Sequence, residues 1–430
     1  MYSSSYFIRH TVFISVFISS FLLMPSVVHA NAADASKLKN LSTFLSAIEK
    51  KHPTLKMGQA ELEASKARTR AAAQSFYNPE LELDVERAGF NSNNVDTVVI
   101  GVNQTLDWYN KRSARKNTAL ISQQVTRLEQ ELIQQNLTAD IFSKLVDYQM
   151  QREIITAHSN RLSLFNQVLT QARRLYKAGD ISKLDFEQIR LSQTRAQLIL
   201  SQEKTQLASN TKSLASTAGV FKKSWPDLPR TPPTINIKGI NFNQIANSSS
   251  LIKLKKAKIV EARSIMRLRV RQQKPDPTVG FRAGGEDSER IVGFTLSIPL
   301  NVRNKYQAEV DESRAYIKQA ESELENAKHQ LKSGLLSAAQ TYELIFKSWQ
   351  SWRRIAGDSL KNQSELLIRL WKAGELSTSD YLVQLNQIKE AELNNVELKG
   401  DVWKAWFNWL AKSYQTKKWL SGSSMSGSQK

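Results

Sequence analysis

The chain of 430 residues contains three pairs of similar segments, and the two members of each pair are separated by nearly the same distance. The pairs are "YNPELELDV" (77–85) with "PDPTVGFRA" (275–283), "VIGVNQTLDWYNKR" (99–112) with "IVGFTLSIPLNVRN" (291–304), and "LYKAGDIS" (175–182) with "LWKAGELS" (370–377). Their offsets are 198, 192 and 195 residues. Three pairs in the same order indicate an internal duplication, which predicts two similar halves.

Each half predicts a helix, two strands, a long helix, a break and a further helix. Residues 37–75 are rich in good helix formers, and Pro79 ends that stretch. Proline-free stretches at 109–176 and 304–370 predict helices of about 100 Å, at 1.5 Å per residue. Apolar residues follow the first long stretch at three- and four-residue spacing, as in a narrow coiled-coil seam. The helices are therefore expected to form a long wall and not a compact domain.

The duplication predicts the domain boundaries. The first structural repeat covers 31–224 and contains a β-hairpin at 78–107, and the second covers 246–420 and contains a β-hairpin at 277–300. A connector at 225–245 lies between them and begins with a proline-rich stretch. The last residues, 421–430, have the low-complexity composition of a disordered tail.

Both hairpins alternate apolar and polar residues. Leu81, Leu83 and Val85 alternate with acidic residues in the first strand, and the acidic residues are Glu82, Asp84 and Glu86. A hairpin packed on a soluble core shows the same period of two. The charged helices offer no broad apolar surface to cover a sheet, so lipid on one face and water on the other fits better. The three acidic residues would then face a lumen.

The first thirty residues resemble an export signal. They hold one basic residue, Arg9, and an apolar stretch from Val12 to Met24, and they end in the small-x-small pattern Val28-His29-Ala30. We expect cleavage after Ala30; the alternative is a short membrane anchor. The chain has no cysteine, so neither disulfides nor a lipoprotein anchor are expected.

The formal net charge is +20, and lysine and arginine are spread along the helical stretches among Glu and Gln. This pattern favours solvated helix faces; attraction to anionic lipid or to an acidic partner is the alternative. A nucleic-acid binder conflicts with the export signal. We expect no catalytic, cofactor or metal site, because no nucleophile–base set, phosphate loop or metal-ligand spacing is found.

The repeated "KAG" phrases each predict the end of one helix and the start of the next. A lysine in the last turn suits the helix dipole, and a glycine after it can take the left-handed conformation. A serine then caps the next helix, with an aspartate three residues later as its capping partner. The residues are Lys177, Ala178, Gly179, Asp180, Ser182 and Asp185 in the first tip, and Lys372, Ala373, Gly374, Glu375, Ser377 and Asp380 in the second.

Taken together, these features over residues 40–420 resemble the TolC family of outer-membrane efflux ducts, nearest its CzcC-like and CusC-like heavy-metal branch. The resemblance rests on the duplicated plan, on the segment 294–315 after the fourth strand, and on the two "KAG" phrases. It implies a mainly α fold with a membrane β-barrel: a homotrimer in which each chain gives four strands to a twelve-stranded barrel and its helices to a periplasmic tunnel. Four strands alone are too few, since known barrels start at about eight.

The resemblance also implies a passive duct without catalysis in the outer membrane of a Gram-negative bacterium, extending into the periplasm. Its partners would be a periplasmic membrane-fusion adaptor and an inner-membrane pump of the RND type. Metal cations and small toxic compounds are both open as substrates. A periplasmic or secreted coiled-coil scaffold without channel activity is the alternative function.

The resemblance assigns the tips to adaptor docking and to the tunnel entrance. Asp380 aligns with an acidic residue of the entrance constriction, where three copies would form a negative ring. A second acidic position of some members corresponds to Val383, so Glu375, Asp180 or Asp185 are the further candidates. In the last helix Trp403, Trp406, Phe407 and Leu410 are predicted on one face, packed on helices or connector, with an interfacial membrane helix as alternative.

Overall fold

The computed structural model of the protein describes residues 32–422, apart from 91–92, 236 and 287–288. The signal peptide predicted at 1–30, and the tail from residue 423, lie outside the described residues. The helices are α1 (Ala32–Lys51), α2 (Pro53–Ala72), α3 (Lys111–Ala178), α4 (Lys183–Ala218), α5 (Phe242–Ser248), α6 (Ser250–Gln272), α7 (Gln307–Lys372), α8 (Thr378–Ser413) and α9 (Thr416–Leu420). The strands are β1 (Glu80–Phe90), β2 (Asn93–Thr105), β3 (Thr278–Glu286) and β4 (Glu289–Ser297).

The four strands form one antiparallel sheet in chain order. Leu83 pairs with Ile100, which pairs with Ala283, which in turn pairs with Val292. These residues form one row across the sheet, so the alternating apolar residues of all four strands share one face. The β2–β3 pairing joins the hairpins of the two halves and leaves β1 and β4 as the edges within the chain.

The long helices α3 and α7 contain 68 and 66 residues, so each extends about 100 Å. They begin and end within three residues of the stretches predicted from the sequence. The single helix predicted over 37–75 is wrong, because the chain divides at His52 into α1 and α2. Pro53 occupies the first turn of α2, where its missing N–H has no partner to lose, and His52 Nδ1 accepts from Thr54 N at 3.2 Å.

Buried apolar side chains form two large clusters along the helices. The central cluster joins α1, α3, α6, α7 and α8 with the connector, and it includes Ile141, Tyr342 and Trp406. The tip cluster lies among α3, α4, α7 and α8 and includes Phe165 and Leu367. The helical body therefore has two packed regions along its length.

The connector between α4 and α6 binds the middle of both long helices. Gln149 on α3 accepts from Leu228 N at 2.9 Å and donates to Pro226 O at 2.6 Å. On α7, the Tyr342 hydroxyl donates to Pro233 O. The connector thus lies across the long helices of both halves.

The Trp-rich segment of α8 packs inside the central cluster. Trp403, Trp406 and Phe407 are buried, as predicted, but Val402 and Trp409 on other sides of the helix are buried as well. The prediction of a single apolar face was too narrow, because Phe242 of α5 packs against Trp409 at 6.3 Å on another side of the helix. The interfacial membrane helix considered as an alternative is wrong. Among the described helices, none is both long and apolar enough to cross a membrane.

The two halves meet through one set of contacts. β2 pairs with β3, and α3 packs against both α6 and α8 of the second half. The matching contacts at the other ends of the repeat would join β4 to β1, and α7 to α2 and α4. Within the described chain these matching contacts are not formed to a comparable extent.

Candidate functional site

One face of the sheet is an exposed apolar surface. Leu81 and Val85 of β1 are 74% and 71% exposed, and Phe294 of β4 is 73% exposed. Val98, Ile100, Val102, Phe281, Val292 and Leu296 lie on the same face and are also exposed. A contiguous apolar patch of this kind indicates contact with lipid or with another protein.

The opposite face of the sheet is polar. Glu82, Asp84 and Glu86 lie on it, and Glu82 Oε2 accepts from Asn103 Nδ2 of β2 at 2.8 Å. The alternation predicted for β1 is therefore confirmed, because its acidic residues lie on the opposite face of the sheet from Leu81 and Leu83. Their exposure to a lumen remains a prediction.

The first tip, between α3 and α4, has the predicted helix end and helix start. Gly179 is left-handed with φ of 85°, and Asp180 N donates to Leu175 O at 2.9 Å. Ser182 Oγ accepts from Asp185 N at 3.1 Å, and the Asp185 carboxylate accepts from Ser182 N at 3.2 Å. This is a complete capping box.

The second tip, between α7 and α8, repeats this geometry. Gly374 has φ of 76°, and Glu375 N donates to Leu370 O at 3.0 Å. Ser377 Oγ accepts from Asp380 N at 3.1 Å, while its hydroxyl donates to Asp380 Oδ2 at 2.6 Å. The cap interpretation of both serines is confirmed. The gate role of Asp380, Glu375 and Asp185 is untested by this geometry.

Each tip also contains a pair of stacked aromatic rings. Tyr176 and Phe186 stack with centroids 5.4 Å apart, and Trp371 and Tyr381 stack at 5.0 Å. Trp371 and Tyr381 are 3% and 0% exposed, but Tyr176 is 41% exposed. Burial raises the pKa of the Tyr381 hydroxyl well above its usual range. One aromatic residue of each pair lies in the "KAG" phrase and the other follows it, at matching positions in the two halves. The sequence therefore contained the signal for both aromatic pairs.

The two tips lie side by side at the same end of the helices. Leu175 and Ile181 of the first tip and Leu376 of the second pack against one tip cluster. The predicted docking residues of both tips, Lys177 to Ser182 and Lys372 to Ser377, therefore share one end of the molecule. The acidic strand residues lie on the sheet, beyond the opposite ends of α3 and α7.

An apolar ridge follows the outer side of α4. Leu184, Leu191 and Leu198 recur every seven residues and are 68%, 71% and 59% exposed. The residue of α8 that corresponds to Leu191 in the repeat is Asn386, which accepts from Arg161 Nη2 of α3 at 2.7 Å. On α8 this position of the repeat contacts α3, whereas on α4 the same position is exposed.

A polar layer separates the tip cluster from the central cluster. In this layer Gln151 Nε2 donates to Glu203 Oε2 at 2.6 Å, and Arg161 binds Asn386. His158 is buried, and its Nδ1 atom has no hydrogen-bond partner among the described residues. Burial lowers the pKa of His158, Glu203 opposes this shift and Arg161 adds to it. Sequence patterns missed the layer, because its contacts join distant segments.

The helices and the sheet are joined by a junction layer, formed by segments 73–77, 106–112, 271–277 and 301–307. Tyr77 Oη and Lys111 Nζ bind Asp276 at 2.8 and 3.0 Å. Burial first, and then the hydrogen bond to Asp276, raise the pKa of Tyr77 to about 12. Arg112 Nε donates to Ala73 O at 2.6 Å, and Gln273 Nε2 donates to Tyr306 O at 3.1 Å.

The described residues contain no group of three His, Asp or Glu side chains placed to hold a metal ion. Residues 44–220 match the family model described as outer membrane efflux protein. Among curated proteins, no sequence match is found.

Solved structures of several outer-membrane proteins have the same fold. CusC, described as forming a transmembrane channel, aligns with TM-score 0.72 at 14% identity over 87% of this chain and 92% of its own. The CmeC outer membrane channel of Campylobacter jejuni aligns with TM-score 0.71 at 12% identity, over 90% of both chains. The outer membrane protein VceC of Vibrio cholerae aligns with TM-score 0.69 at 14% identity, over 87% of this chain and 95% of its own.

Proposed function

We propose that this chain is a member of the outer membrane efflux protein family and serves as the outer-membrane duct of a tripartite efflux system. The observation that carries the proposal is the four-stranded sheet with one exposed apolar face, mounted on helices of about 100 Å. Lipid is the solvent that suits such a face, and a helical wall of this length suits a tunnel. The duct conducts passively; the energy comes from its partners.

We infer that three copies assemble around one axis. The first half contacts the second through β2 and β3, and through α3 with α6 and α8. By the repeat, the equivalent contacts of the second half would be β4 with β1, and α7 with α2 and α4. A second copy of the chain provides these contacts, and in a cyclic assembly no copy is left with an uncovered β1 or β4 edge. The α4 ridge and the exposed Tyr176 then lie at the seam between copies. Three copies give a closed twelve-stranded barrel, the number that the family resemblance implies.

In this assembly the apolar face of the sheet points to lipid, and Glu82, Asp84 and Glu86 line the lumen. The tips form the periplasmic end, where Lys177 to Ser182 and Lys372 to Ser377 dock a membrane-fusion adaptor. Asp380 forms a negative ring at the entrance, with Glu375 and Asp185 as the further candidates. An inner-membrane pump of the RND type supplies the substrate, which is either a metal cation or a small toxic compound.

Cell fractionation with gel electrophoresis tests the proposal. We expect the protein in the outer membrane, as a trimer in unheated samples and as a monomer after boiling. A soluble periplasmic monomer would contradict the duct and would favour a coiled-coil scaffold.

Planar-bilayer conductance tests the gate. Asp380→Asn should reduce cation selectivity and block by divalent cations. Asp185→Asn, at the corresponding position of the first tip, measures whether that further candidate contributes as well. If Asp380→Asn leaves selectivity and block unchanged, Asp380 does not line the constriction.

A further inference from the structure

We propose that the junction layer binds the headgroups of anionic phospholipids, in the membrane leaflet on the helix side of the sheet. The inference rests on the proposed function in one respect, the placement of the sheet in a membrane. It adds the class of lipid that the protein recognises and the residues that recognise it.

The junction layer has more cations than its carboxylates can pair. Its cations are Lys111, Arg112, Arg271, Lys274, Arg303 and Lys305, and its carboxylates are Asp107 and Asp276. Asp107 accepts from the backbone N–H groups of Lys111 and Arg112, at 2.6 and 2.7 Å. Asp276 is buried and is held by Tyr77 and Lys111. Both carboxylates are thus occupied within the layer.

The remaining cations of the layer are exposed and form no ion pair within the described residues. Arg112 and Arg271 donate only to the carbonyl oxygens of Ala73 and Asn110. Lys274, Arg303 and Lys305 are exposed at the surface. Five cations per chain are therefore available to an anionic ligand.

Three cations in the first half and the middle of α6 form ion pairs, whereas those at its end beside the sheet do not. Lys255, Lys258 and Arg263 each pair with a glutamate at 2.7 Å. Beyond them, Arg271 and Lys274 have no carboxylate partner among the described residues. Lys253 and Lys256 near the start of α6 also have no carboxylate partner among the described residues, so the cations beside the sheet are distinguished by their position next to its exposed apolar side chains.

Exposed apolar side chains lie next to these cations. Trp108, Leu300 and Val302 follow β2 and β4 directly and are 67%, 78% and 76% exposed. Tryptophan beside basic residues is typical of the boundary between hydrocarbon and headgroups. At this boundary, an anionic phospholipid provides both acyl chains for the apolar side chains and a negative headgroup for the cations. Basic side chains near a membrane surface attract such lipids.

The test measures the thermal stability of the full chain in non-ionic detergent while a short-chain lipid is added. The probes are dioctanoyl phosphatidylglycerol, dioctanoyl phosphatidylcholine and inorganic phosphate. A ligand that binds only the folded state raises Tm with concentration. We expect phosphatidylglycerol to raise Tm at lower concentration than phosphatidylcholine, and phosphate alone to have no comparable effect.

Two variants locate the binding. The triple variant Lys274→Gln, Arg303→Gln, Lys305→Gln removes three charges that form no bond within the described chain. At about fivefold in affinity per basic side chain, the loss of three should lower the apparent affinity for phosphatidylglycerol by about a hundredfold. Affinity for phosphatidylcholine should not change. The control variant Lys204→Gln, Lys212→Gln, Lys332→Gln removes three exposed cations of the helical body and should match the wild type.

Each contrary result has a separate meaning. Equal stabilisation of the wild type by both lipids would overturn the anionic-lipid site and leave the membrane placement intact. Equal stabilisation by inorganic phosphate would show a free-anion site instead. If neither lipid raises Tm and the protein stays dispersed after detergent is removed, the membrane placement itself is wrong.

Discussion

The two tips share their sequence pattern, their helix ends and their stacked aromatic pair, but they differ in burial. Trp371 and Tyr381 are enclosed in the second tip, whereas Tyr176 and the α4 ridge are exposed in the first. The difference follows from the neighbours, since α8 packs against α3, whereas α4 has no equivalent contact with α7 within the described part of the chain. A repeat therefore determines local geometry, while the environment of each copy depends on the helices that pack beside it.

The largest expected difference between the tips concerns their aromatic pairs. Trp371→Ala should destabilise the second tip by about 3–5 kcal/mol, because it removes a buried ring and leaves a cavity. Tyr176→Ala should cost less, because that ring is already partly in water. Hydrogen exchange of the amides at each tip measures both local free energies of opening. Equal losses would mean that Tyr176 is enclosed as fully as Trp371 in the assembled protein.

Leu191→Glu tests whether a second copy covers the exposed side of the first tip. A buried leucine contributes about 1.5–3 kcal/mol, and a charge at its place adds a desolvation cost. We expect the trimer to dissociate at lower temperature on unheated gels. Gln197→Glu, an exposed position on the same helix, is the control. A variant as stable as this control would place the seam elsewhere.

The serine caps should be equal in the two tips despite the difference in burial. Ser182→Ala and Ser377→Ala each remove one bond to a backbone N–H, which costs about 1 kcal/mol. The same exchange experiment reports the loss, with Ser379→Ala as a control on the same turn. Unequal losses would show that the surroundings influence even this local interaction.

The smallest effect concerns the polar layer that separates the tip cluster from the central cluster. The pKa of His158 in the folded protein is lower than its ordinary value of 6.5, so its stabilising contribution is present above pH 6.5 and is lost as the pH falls through the folded pKa. One pKa unit corresponds to about 1.4 kcal/mol, and we expect an effect of at most that order. Tm should fall less between pH 7.5 and 5 in His158→Gln than in the wild type or in His329→Gln. The same fall in all three would exclude His158 as the cause.

Local signals predicted much of the fold. The period of two placed the strands, the absence of proline predicted α3 and α7, and the repeated glycine and serine residues predicted both tips. The errors also have local causes that depend on context. Pro53 suits the first turn of a helix, and Trp409 is buried where Phe242, from a distant part of the chain, packs against it.

The site was less predictable than the fold, because its contacts join distant parts of the chain. Arg161 meets Asn386 across 225 residues, and Tyr77 meets Asp276 across 199. No periodicity reports such pairs. The acidic residues of β1 were correctly separated from its apolar residues, because strand alternation alone decides on which of the two faces a side chain lies.

The connector holds α3 at Gln149 and α7 at Tyr342, so each helix has a fixed point far from its tip. From Gln149 to the end of α3 at Ala178 the helix extends about 44 Å, at 1.5 Å per residue. A rotation of about 5° at this fixed point would therefore displace the tip by about 4 Å, more than the diameter of a water molecule. Small changes of packing in the middle of the molecule would thus be magnified at its tips.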